Sequence, residues 1–524
     1  TIGNVSSTLP IVLAYNAYLA TQGQPPITTD DPRWVSPSAY KTYSHCALDT
    51  AQRVAANFGP GVGQLSDALA AGSFCEEFRE SKNLFLSADI DWHLRDGLTF
   101  RSLTGFNSGE DVDQGDYGLF GASTNSIRND MKSFSQELQL TGDGDRMDWV
   151  VGLYFFREEP VEATINRQLV LGGPDLGRCC SGFDRIVELK TNSYAAFSQA
   201  TFAVTDKLRM TGGLRYTYDE KSVVVTKTGI YVPTIPVAER VKGGSDNWDA
   251  VDWRATVDYH WTPDLMTYTT VSRGFKSGGF NGDISIRPGP EYVVEPYDPE
   301  TVTNYEVGLR SEWLARRLRV NLSAFHMELD DLVVQFADFT GGGLTLRFLN
   351  AGFVDLEGVE AELQFAATRN LTFNGSFGYT HLDYEYLDDN SPLFRAGVGT
   401  CPAAPATRTW TDCADSTQPL TRTPEITYAV GADWRRPLAR GQLLASLSYA
   451  YKDEIWSGNS TSNAILLDDY GVANARITFI SDSFWEVSLF GSNIFDKTYY
   501  TAGLDGRGPG NPVATLWRSP GPPA

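Results

Sequence analysis

The sequence predicts an all-β protein, namely a transmembrane antiparallel up-and-down β-barrel, and three observations lead to this fold class. Apolar and polar residues alternate with a period of two, many of the alternating stretches are long, and short turns alternate with long loops. The composition of 28 Phe, 24 Tyr, 12 Trp and 49 Gly accompanies these patterns. No apolar run approaches the roughly 20 residues that a membrane-spanning helix needs, which excludes a helical membrane protein.

The alternation is clearest at 371–379. Leu371, Phe373, Phe377 and Tyr379 share one parity there, while polar or small residues occupy the other. Such a segment has one apolar and one polar face. Marking every similar stretch predicts sixteen strands, near 81–94, 98–107, 133–141, 147–158, 188–204, 208–224, 246–261, 265–280, 298–313, 318–336, 347–367, 371–387, 423–435, 442–456, 467–480 and 484–500. Several reach the roughly 9–11 residues that cross a bilayer at a tilt.

The connections between these strands alternate in length. Short turns lie at 95–97, 205–207 and 262–264, for example, whereas 108–132, 159–187, 281–297 and 388–422 are long. In outer-membrane barrels the short turns face the periplasm. We therefore interpret 81–524 as barrel strands with short periplasmic turns and long extracellular loops, and 1–80 as a long extracellular loop region.

Two soluble folds compete with the barrel. A β-sandwich also alternates, because each sheet buries one face. The apolar parity here ends repeatedly in aromatic residues, such as Trp313 and Trp434, which favours the two interfacial girdles of a membrane barrel. No blade-length repeat appears, which argues against a propeller.

The charge balance bears on partners. There are 43 Lys and Arg against 65 Asp and Glu, a formal net charge of −22. Binding to a phosphate backbone depends on Lys and Arg that release counterions. We therefore expect no nucleic-acid partner.

Four segments, in order, resemble TonB-dependent outer-membrane receptors. They are 268–281 (YTTVSRGFKSGGFN), 298–310 (DPETVTNYEVGLR), 350–362 (NAGFVDLEGVEAE) and 491–500 (GSNIFDKTYY). Within the family the resemblance is strongest to the proteobacterial branch of siderophore receptors. The similarity runs from about residue 80 to the end, and residues 1–80 carry no recognisable motif.

The resemblance implies a barrel of 22 strands around a plug domain that is preceded by a TonB-contacting box. The plug, the box and the closing strand are not recognisable in this chain, so the sixteen strands would be the middle of the barrel. The implied function is active import of a scarce solute, most often a ferric siderophore, driven by TonB with ExbB and ExbD acting through the plug. The implied location is the outer membrane of a Gram-negative bacterium, in contact with its lipid and lipopolysaccharide.

Two other functions remain open on the residues alone. A passive porin would suit sixteen strands, and a structural or attachment barrel would suit the long loops. The four family motifs argue against the porin, and a plug domain in the full-length protein would distinguish the two. No catalytic constellation or familiar hydrolase motif occurs, so we expect no enzyme.

Arginines are the candidate residues for contact with a plug or a ligand. Five lie on the parity opposite the apolar residues and are expected to line the lumen. They could hold a polar plug surface through charged hydrogen bonds or contact a passing anionic chelate. A sixth lies near the rim, where the alternation does not decide its direction. The first five are Arg209, Arg215, Arg310, Arg319 and Arg476, and the sixth is Arg273.

All six cysteines fall in predicted long loops or before the first strand. An even number on one side of a barrel suggests disulfides in an oxidising compartment. Pairing of Cys46 with Cys75 and of Cys401 with Cys413 is the simplest arrangement, while Cys179 and Cys180 could bridge to another loop. Free loop thiols are the alternative.

An acidic segment near the start of the barrel is a candidate calcium site. Asp111, Asp113 and Asp116 supply the carboxylate oxygens that Ca²⁺ prefers, without the full twelve-residue pattern of an EF-hand. A solvated acidic loop is the simpler interpretation. We expect no other cofactor, and a ferric chelate would be cargo.

Overall fold

A computed structural model describes residues 78–116, 123–168, 181–228, 235–287, 291–338, 345–350, 352–387, 422–457, 466–505 and 516–520. The predicted loop region 1–80 lies outside these residues, apart from 78–80, which begin the first strand. One large antiparallel sheet dominates the described structure.

Seventeen strands form this sheet. In chain order they are β1 (Phe78–Arg95), β2 (Leu98–Asp116), β3 (Ser123–Asp143), β4 (Met147–Glu158), β5 (Val161–Gln168), β6 (Ser181–Ala203), β7 (Leu208–Thr228), β8 (Val241–Thr262), β9 (Leu265–Lys276), β14 (Glu300–Trp313), β15 (Leu318–Asp330), β18 (Gly352–Ala366), β19 (Leu371–Leu387), β20 (Ile426–Leu438), β21 (Gly441–Lys452), β24 (Tyr470–Ser481) and β25 (Glu486–Gly491).

Ten short strands form five two-stranded ladders beside the sheet. They are β10 (Gly279–Phe280) with β13 (Pro296–Tyr297), β11 (Ser285–Arg287) with β12 (Glu291–Val293), β16 (Val333–Asp338) with β17 (Thr345–Asn350), β22 (Ile455–Trp456) with β23 (Leu466–Leu467), and β26 (Tyr500–Asp505) with β27 (Leu516–Pro520). A single turn of 3₁₀ helix covers Val237–Glu239. Among the described residues, no helix is long and apolar enough to cross a membrane.

The large sheet is a meander. Each strand pairs antiparallel with the next one along it, from the β1–β2 pair to the β24–β25 pair. β4 and β5 both pair with β3 and with β6, so they occupy one position, interrupted at Glu159 and Pro160. In the part of the chain that the structure describes, the meander thus has sixteen positions, the number that the alternation predicts.

Several predicted boundaries are wrong. Much of the predicted loops 108–132 and 159–187 is strand, because β2, β3, β5 and β6 extend into them. The predicted strand 347–367 is split between β17 and β18, and 484–500 contains only β25 and the first residue of β26. The long strands project beyond the apolar layer, where the regular alternation of apolar and polar residues is lost.

The sheet has two chemically distinct faces. The apolar face carries large exposed side chains at every second position, such as Met210 and Leu214 on β7 and Phe373 and Phe377 on β19. The other face, here called the polar face, carries Arg209, Thr211 and Arg215 on β7. Because side chains point to opposite sides with a period of two, this pattern follows directly from the sequence.

Aromatic residues bound the apolar face at both ends. Near the short turns, the exposed Trp92, Trp261, Trp313 and Trp485 form one girdle. Towards the long loops, the apolar-face positions of β7 change from Tyr216 to Glu220 within four residues. The strand therefore leaves the apolar layer there, and β7 beyond this point lies outside the membrane-spanning part.

The short turn between β14 and β15 has an unusual backbone. Leu314, Ala315 and Arg316 have φ values of 56°, 54° and 65°, in the left-handed region. This conformation costs roughly 1–2 kcal/mol for each L-residue. Ion pairs from Arg316 to Asp264 and to Glu312, both at 3.2 Å, tie the turn to its neighbours.

Candidate ligand channel

Five of the six predicted arginines lie on the polar face. Arg209 and Arg215 share β7, Arg310 and Arg319 lie on the adjacent strands β14 and β15, and Arg476 lies on β24. They are spread along the sheet, and only Arg310 and Arg319 are close neighbours, because they lie diagonally across the β14–β15 register. Together they give this face positive groups at several positions, without forming one compact site.

Arg215 stacks on aromatic rings of the polar face. Its guanidinium carbon lies 5.3 Å from the centre of the Tyr154 ring and 5.8 Å from that of Phe197. Its Nε donates a hydrogen bond of 3.0 Å to Thr217 Oγ1. Cation–π contacts of this kind are worth about 0.5–2 kcal/mol and help to fix the position of the guanidinium beside these rings.

Arg310 has a similar environment. Its guanidinium carbon lies 5.7 Å from the centre of the Tyr268 ring, and the Tyr268 hydroxyl donates a 2.6 Å hydrogen bond to Glu306 Oε1. The ring of Tyr268 also lies against Gly308, where a Cβ would come within 2.4 Å of it. The glycine leaves room for the ring on the polar face.

The remaining arginines of the polar face have different partners. Arg319 forms a 2.8 Å ion pair with Glu312, and Arg476 lies 5.1 Å from the centre of the Phe490 ring. Arg209 is opposite Asp258 in the strand register. All of these groups could contact an anionic or aromatic molecule that passes along the face.

Amides and carboxylates continue the polar face beyond Arg319. Asn321 donates to Glu362 at 3.1 Å, and Asn374 donates to Asp433 at 2.9 Å. A shallow depression lies along these strands, and Arg319, Asn321, Glu362, Gln364, Asn374 and Ser376 line it.

Arg273 does not lie on the polar face. It is in register with Trp253 of β8 and Thr303 of β14, and Trp253 is an exposed residue of the apolar face. Directly opposed residues of adjacent strands project to the same side. The register therefore decides the direction of Arg273, which the alternation had left open, and places this residue on the apolar-face side of the sheet. Lys276 is on the polar face and pairs with Glu300 at 3.0 Å.

The predicted calcium segment is not a loop. Asp111 and Asp113 lie within β2, opposite Asn129 and Ile127 of β3, and the backbone of Asp116 ends the same strand. In the described part of the chain, no group of three or more acidic, histidine or cysteine residues is arranged to hold a metal. The side chain of Asp116 and all six candidate cysteines (Cys46, Cys75, Cys179, Cys180, Cys401 and Cys413) lie outside the described residues.

Between β9 and β14, the described residues 277–287 and 291–299 fold over the upper part of the polar face, beyond the apolar layer. We call this segment the insert. Its residues Ile284 and Val294 pack into a buried cluster with Val187, Val223 and Val225. These valines occupy polar-face positions of β6 and β7, so the insert makes this part of the face a small core.

A buried ion pair fixes the insert to β7. Lys227 Nζ donates to both carboxylate oxygens of Asp283, each at 2.8 Å, and both residues are more than nine-tenths buried. Lys221 Nζ donates to the Gly278 carbonyl at 2.6 Å and lies 5.6 Å from the centre of the Trp248 ring. Burial lowers the pKa of Lys221.

Two asparagines join the insert to its neighbours. The Asn281 amide donates to the Phe348 carbonyl at 3.0 Å and accepts from the Phe348 amide at 2.6 Å. Asn350 likewise donates to the Asp298 carbonyl at 2.9 Å and accepts from its amide at 2.8 Å. These bonds connect the insert to β17, and a Glu295–Arg347 ion pair adds to them. Burial also raises the pKa of the Tyr297 hydroxyl in the insert.

These asparagines give the sequence motifs a structural meaning. Asn281, Asp298 and Asn350 each lie within one of the four segments that carry the family resemblance. Asn493, in the fourth segment, is buried and forms two 3.0 Å hydrogen bonds with the backbone of Lys497. The family motifs could have pointed to these four residues, but within each motif the sequence alone does not distinguish them from their neighbours. The ion pair between Lys227 and Asp283 cannot be recognised from the sequence, since 56 positions separate the two residues.

Comparison with known protein families identifies the fold. The model of the family described as "TonB dependent receptor-like, beta-barrel" matches residues 14–494. The chain belongs to this family. The match also begins well before residue 80, so it includes residues in which no motif is recognisable from the sequence. The TonB-dependent receptor fold makes the large sheet a transmembrane barrel wall, with its apolar face towards lipid and its polar face towards the lumen.

Curated relatives of the chain are named as receptors, among them receptors for pesticin and for ferric pyoverdine. The chain is 28% identical over 245 residues to the pesticin receptor of Yersinia pestis, a match that covers 46% of this chain and 33% of the relative. It is 27% identical over 327 residues to the ferric-pyoverdine M114 receptor PbuA of Pseudomonas sp. (strain M114), covering 62% and 35%. The matched region thus spans about a third of the length of these relatives.

Solved structures agree on the fold. The ferric yersiniabactin uptake receptor FyuA from Yersinia pestis superposes with a TM-score of 0.64 at 17% identity, covering 84% of this chain and 59% of that one. The siderophore receptor PiuA from Acinetobacter baumannii gives 0.61 at 14% identity, covering 85% and 63%. The predicted fold class is confirmed. As a TonB-dependent receptor barrel, the chain is an outer-membrane protein of a Gram-negative bacterium, and its family consists of receptors rather than enzymes.

Proposed function

We propose that the chain is the barrel part of an active importer that carries a ferric siderophore across the outer membrane. Membership of the TonB-dependent receptor family supports this most strongly, because the match covers 14–494. Relatives named as receptors for ferric pyoverdine and for other siderophores support the cargo. TonB with ExbB and ExbD, acting through a plug domain, would supply the energy.

The polar face suits such a cargo chemically. Ferric siderophores are often anionic and partly aromatic, and Arg215 and Arg310 present guanidinium groups beside aromatic rings. We propose that these two arginines, with Arg209, Arg319 and Arg476, contact the ligand or the plug. The lipid-side partners would be outer-membrane phospholipid and lipopolysaccharide. Loop disulfides among the six cysteines and a Ca²⁺ site at Asp111, Asp113 and Asp116 remain predictions.

Uptake by intact cells tests the proposal. Cells with and without the full-length gene are given ⁵⁵Fe-labelled yersiniabactin, pyoverdine and a catecholate siderophore, with the proton gradient intact or collapsed. We expect at least one chelate to enter only when both the gene and the gradient are present. Uptake that persists after the gradient is collapsed would instead support the passive porin. If deletion of the gene leaves iron uptake unchanged but abolishes growth on another scarce solute, the protein is still an active importer. The assignment of iron as its cargo is then wrong.

Substitution of the arginines tests their role. Arg310→Gln should weaken uptake at low chelate concentration, because it removes a charge from the polar face. Arg273→Gln is the matched control, since it removes the same charge from the apolar face. Equal effects of the two substitutions would contradict a ligand or plug contact at Arg310.

A further inference from the structure

The apolar face of the barrel contains a groove between β4 and β8. Four residues lie in one row across the strands: Trp149 is opposite Ala200, Ala200 is opposite Gly212, and Gly212 is opposite Ala255. The three small residues of this row form the groove floor. Three strand spacings, roughly 14 Å between backbones, separate the outer members of the row.

Larger side chains border most of the floor. The row nearer the periplasmic turns and the row farther from them carry bulky residues on the same face, except at Ser198. The first consists of Met147, Phe202, Met210 and Val257, and the second of Val151, Ser198, Leu214 and Trp253. The groove is thus an open depression in the apolar surface, and its lining is predominantly apolar.

The space above the floor is open. A Cβ added at Gly212 would meet no heavy atom within 4 Å. The Trp149 indole lies across Gly142 of β3, where an added Cβ would come within 2.3 Å of the ring. The indole therefore leans away from Ala200 and leaves the groove uncovered.

The depth of the groove in the membrane follows from the strand geometry. Gly212 is four residues from Leu208, the first residue of β7 after a periplasmic turn. At about 3.4 Å per residue and a tilt near 40°, this is about 10 Å above the start of the strand. The apolar band of such barrels is about 25 Å tall, so the groove faces the inner leaflet.

We propose that this groove binds one acyl chain of an inner-leaflet phospholipid and retains that lipid when the receptor is extracted from the membrane. The groove is continuous with the lipid-facing surface that the receptor family establishes. No water is available in the hydrocarbon layer, and an unfilled groove would forfeit dispersion contacts along its whole lining. Trp149 and Trp253 supply flat apolar walls on either side of the chain.

Native mass spectrometry of the full-length receptor in mild detergent tests the proposal. The wild type should retain one phospholipid after extended detergent exchange. Gly212→Leu fills the groove, and the open space at this position allows the side chain to fit without moving its neighbours. Losing the contact of about two methylene groups corresponds to roughly tenfold weaker retention of the lipid.

Ala361→Leu is the matched control. Ala361 lies on the apolar face of β18, between Leu322 and Phe377 of the adjacent strands, outside the groove. This variant should retain phospholipid as the wild type does, and heat-modifiable gel mobility should show both variants folded. Equal retention by Gly212→Leu and the wild type would overturn the proposal. So would a groove-dependent ligand that proves to be lipopolysaccharide or a second receptor copy.

Discussion

The polar face of the barrel wall is covered in its upper part and open in its lower part. On β6 and β7, the insert buries Val187, Val223 and Val225 together with Lys227. On β14 and β15, the same face carries Glu312, Arg319 and other groups that remain open to the lumen. The same face of the sheet thus forms a small core where the insert packs against it and a lumenal surface on β14 and β15.

The covered region also explains an exception to the alternation. Three consecutive valines at 223–225 do not fit a strand with one polar face. In the structure Val223 and Val225 are buried under the insert, while Val224 is exposed on the apolar-face parity. A local loss of alternation therefore marks a place where the polar face is itself covered.

Breaking the buried ion pair should have the largest effect on the covered region. Lys227→Met leaves Asp283 charged and buried without its partner, which costs about 3–5 kcal/mol. The free energy of unfolding of the full-length receptor in urea and detergent measures this cost. Arg316→Met, at an exposed ion pair with Asp264, is the control and should cost about 0–1 kcal/mol. Equal losses would mean that the insert does not bury the pair.

The next largest effect is the difference in stability between arginine substitutions on the two faces of the wall. Leu322→Arg places a charge in the lipid and should cost about 2–4 kcal/mol, whereas Ser323→Arg, on the lumen side, should cost far less. Leu322 is exposed on the apolar face, and Ser323 is on the polar face. Folding from urea into lipid vesicles gives both values. Equal sensitivity would contradict the assignment of the faces.

Removal of an asparagine should cost more stability in the covered region than in the open one. Asn281→Ala leaves the Phe348 amide and carbonyl without their partner and should cost about 1–3 kcal/mol. Asn374→Ala removes an exposed bond to Asp433 in the open region and should change stability by less than about 0.5 kcal/mol. Thermal unfolding of the two variants makes the comparison, and the reverse order would contradict it.

The smallest expected effect is a gain in stability. Ala315→Gly relieves a left-handed residue in the β14–β15 turn, worth roughly 1–2 kcal/mol, and loses about 0.5–1 kcal/mol to the entropy of the unfolded chain. A net gain of about 0.5–1 kcal/mol should appear as a higher urea midpoint. Ala366→Gly, at the end of β18, is the control and should not stabilise the protein.

Much of the wall could be predicted from the sequence, because a lipid-facing strand repeats the same choice at every second residue. The faces of Arg215 and Leu322 follow from parity alone. The insert could not be predicted, since its contacts join residues far apart in the chain, such as Lys227 with Asp283 and Asn281 with Phe348. Arg273 lies near the rim, and its face can be assigned only when its register with β8 and β14 is known.

The accessibility of β7 to oxygen shows which face of the barrel wall meets lipid. Nitroxide labels are placed one at a time at 209–214 in the full-length receptor reconstituted into lipid, and their collisions with dissolved oxygen, which concentrates in the bilayer, are measured. The assignment of the faces predicts maxima at Met210, Gly212 and Leu214 and minima at Arg209, Thr211 and Gly213. A profile without this period of two, or with the maxima at the odd positions, would contradict a wall whose apolar face meets lipid and whose polar face lines the lumen.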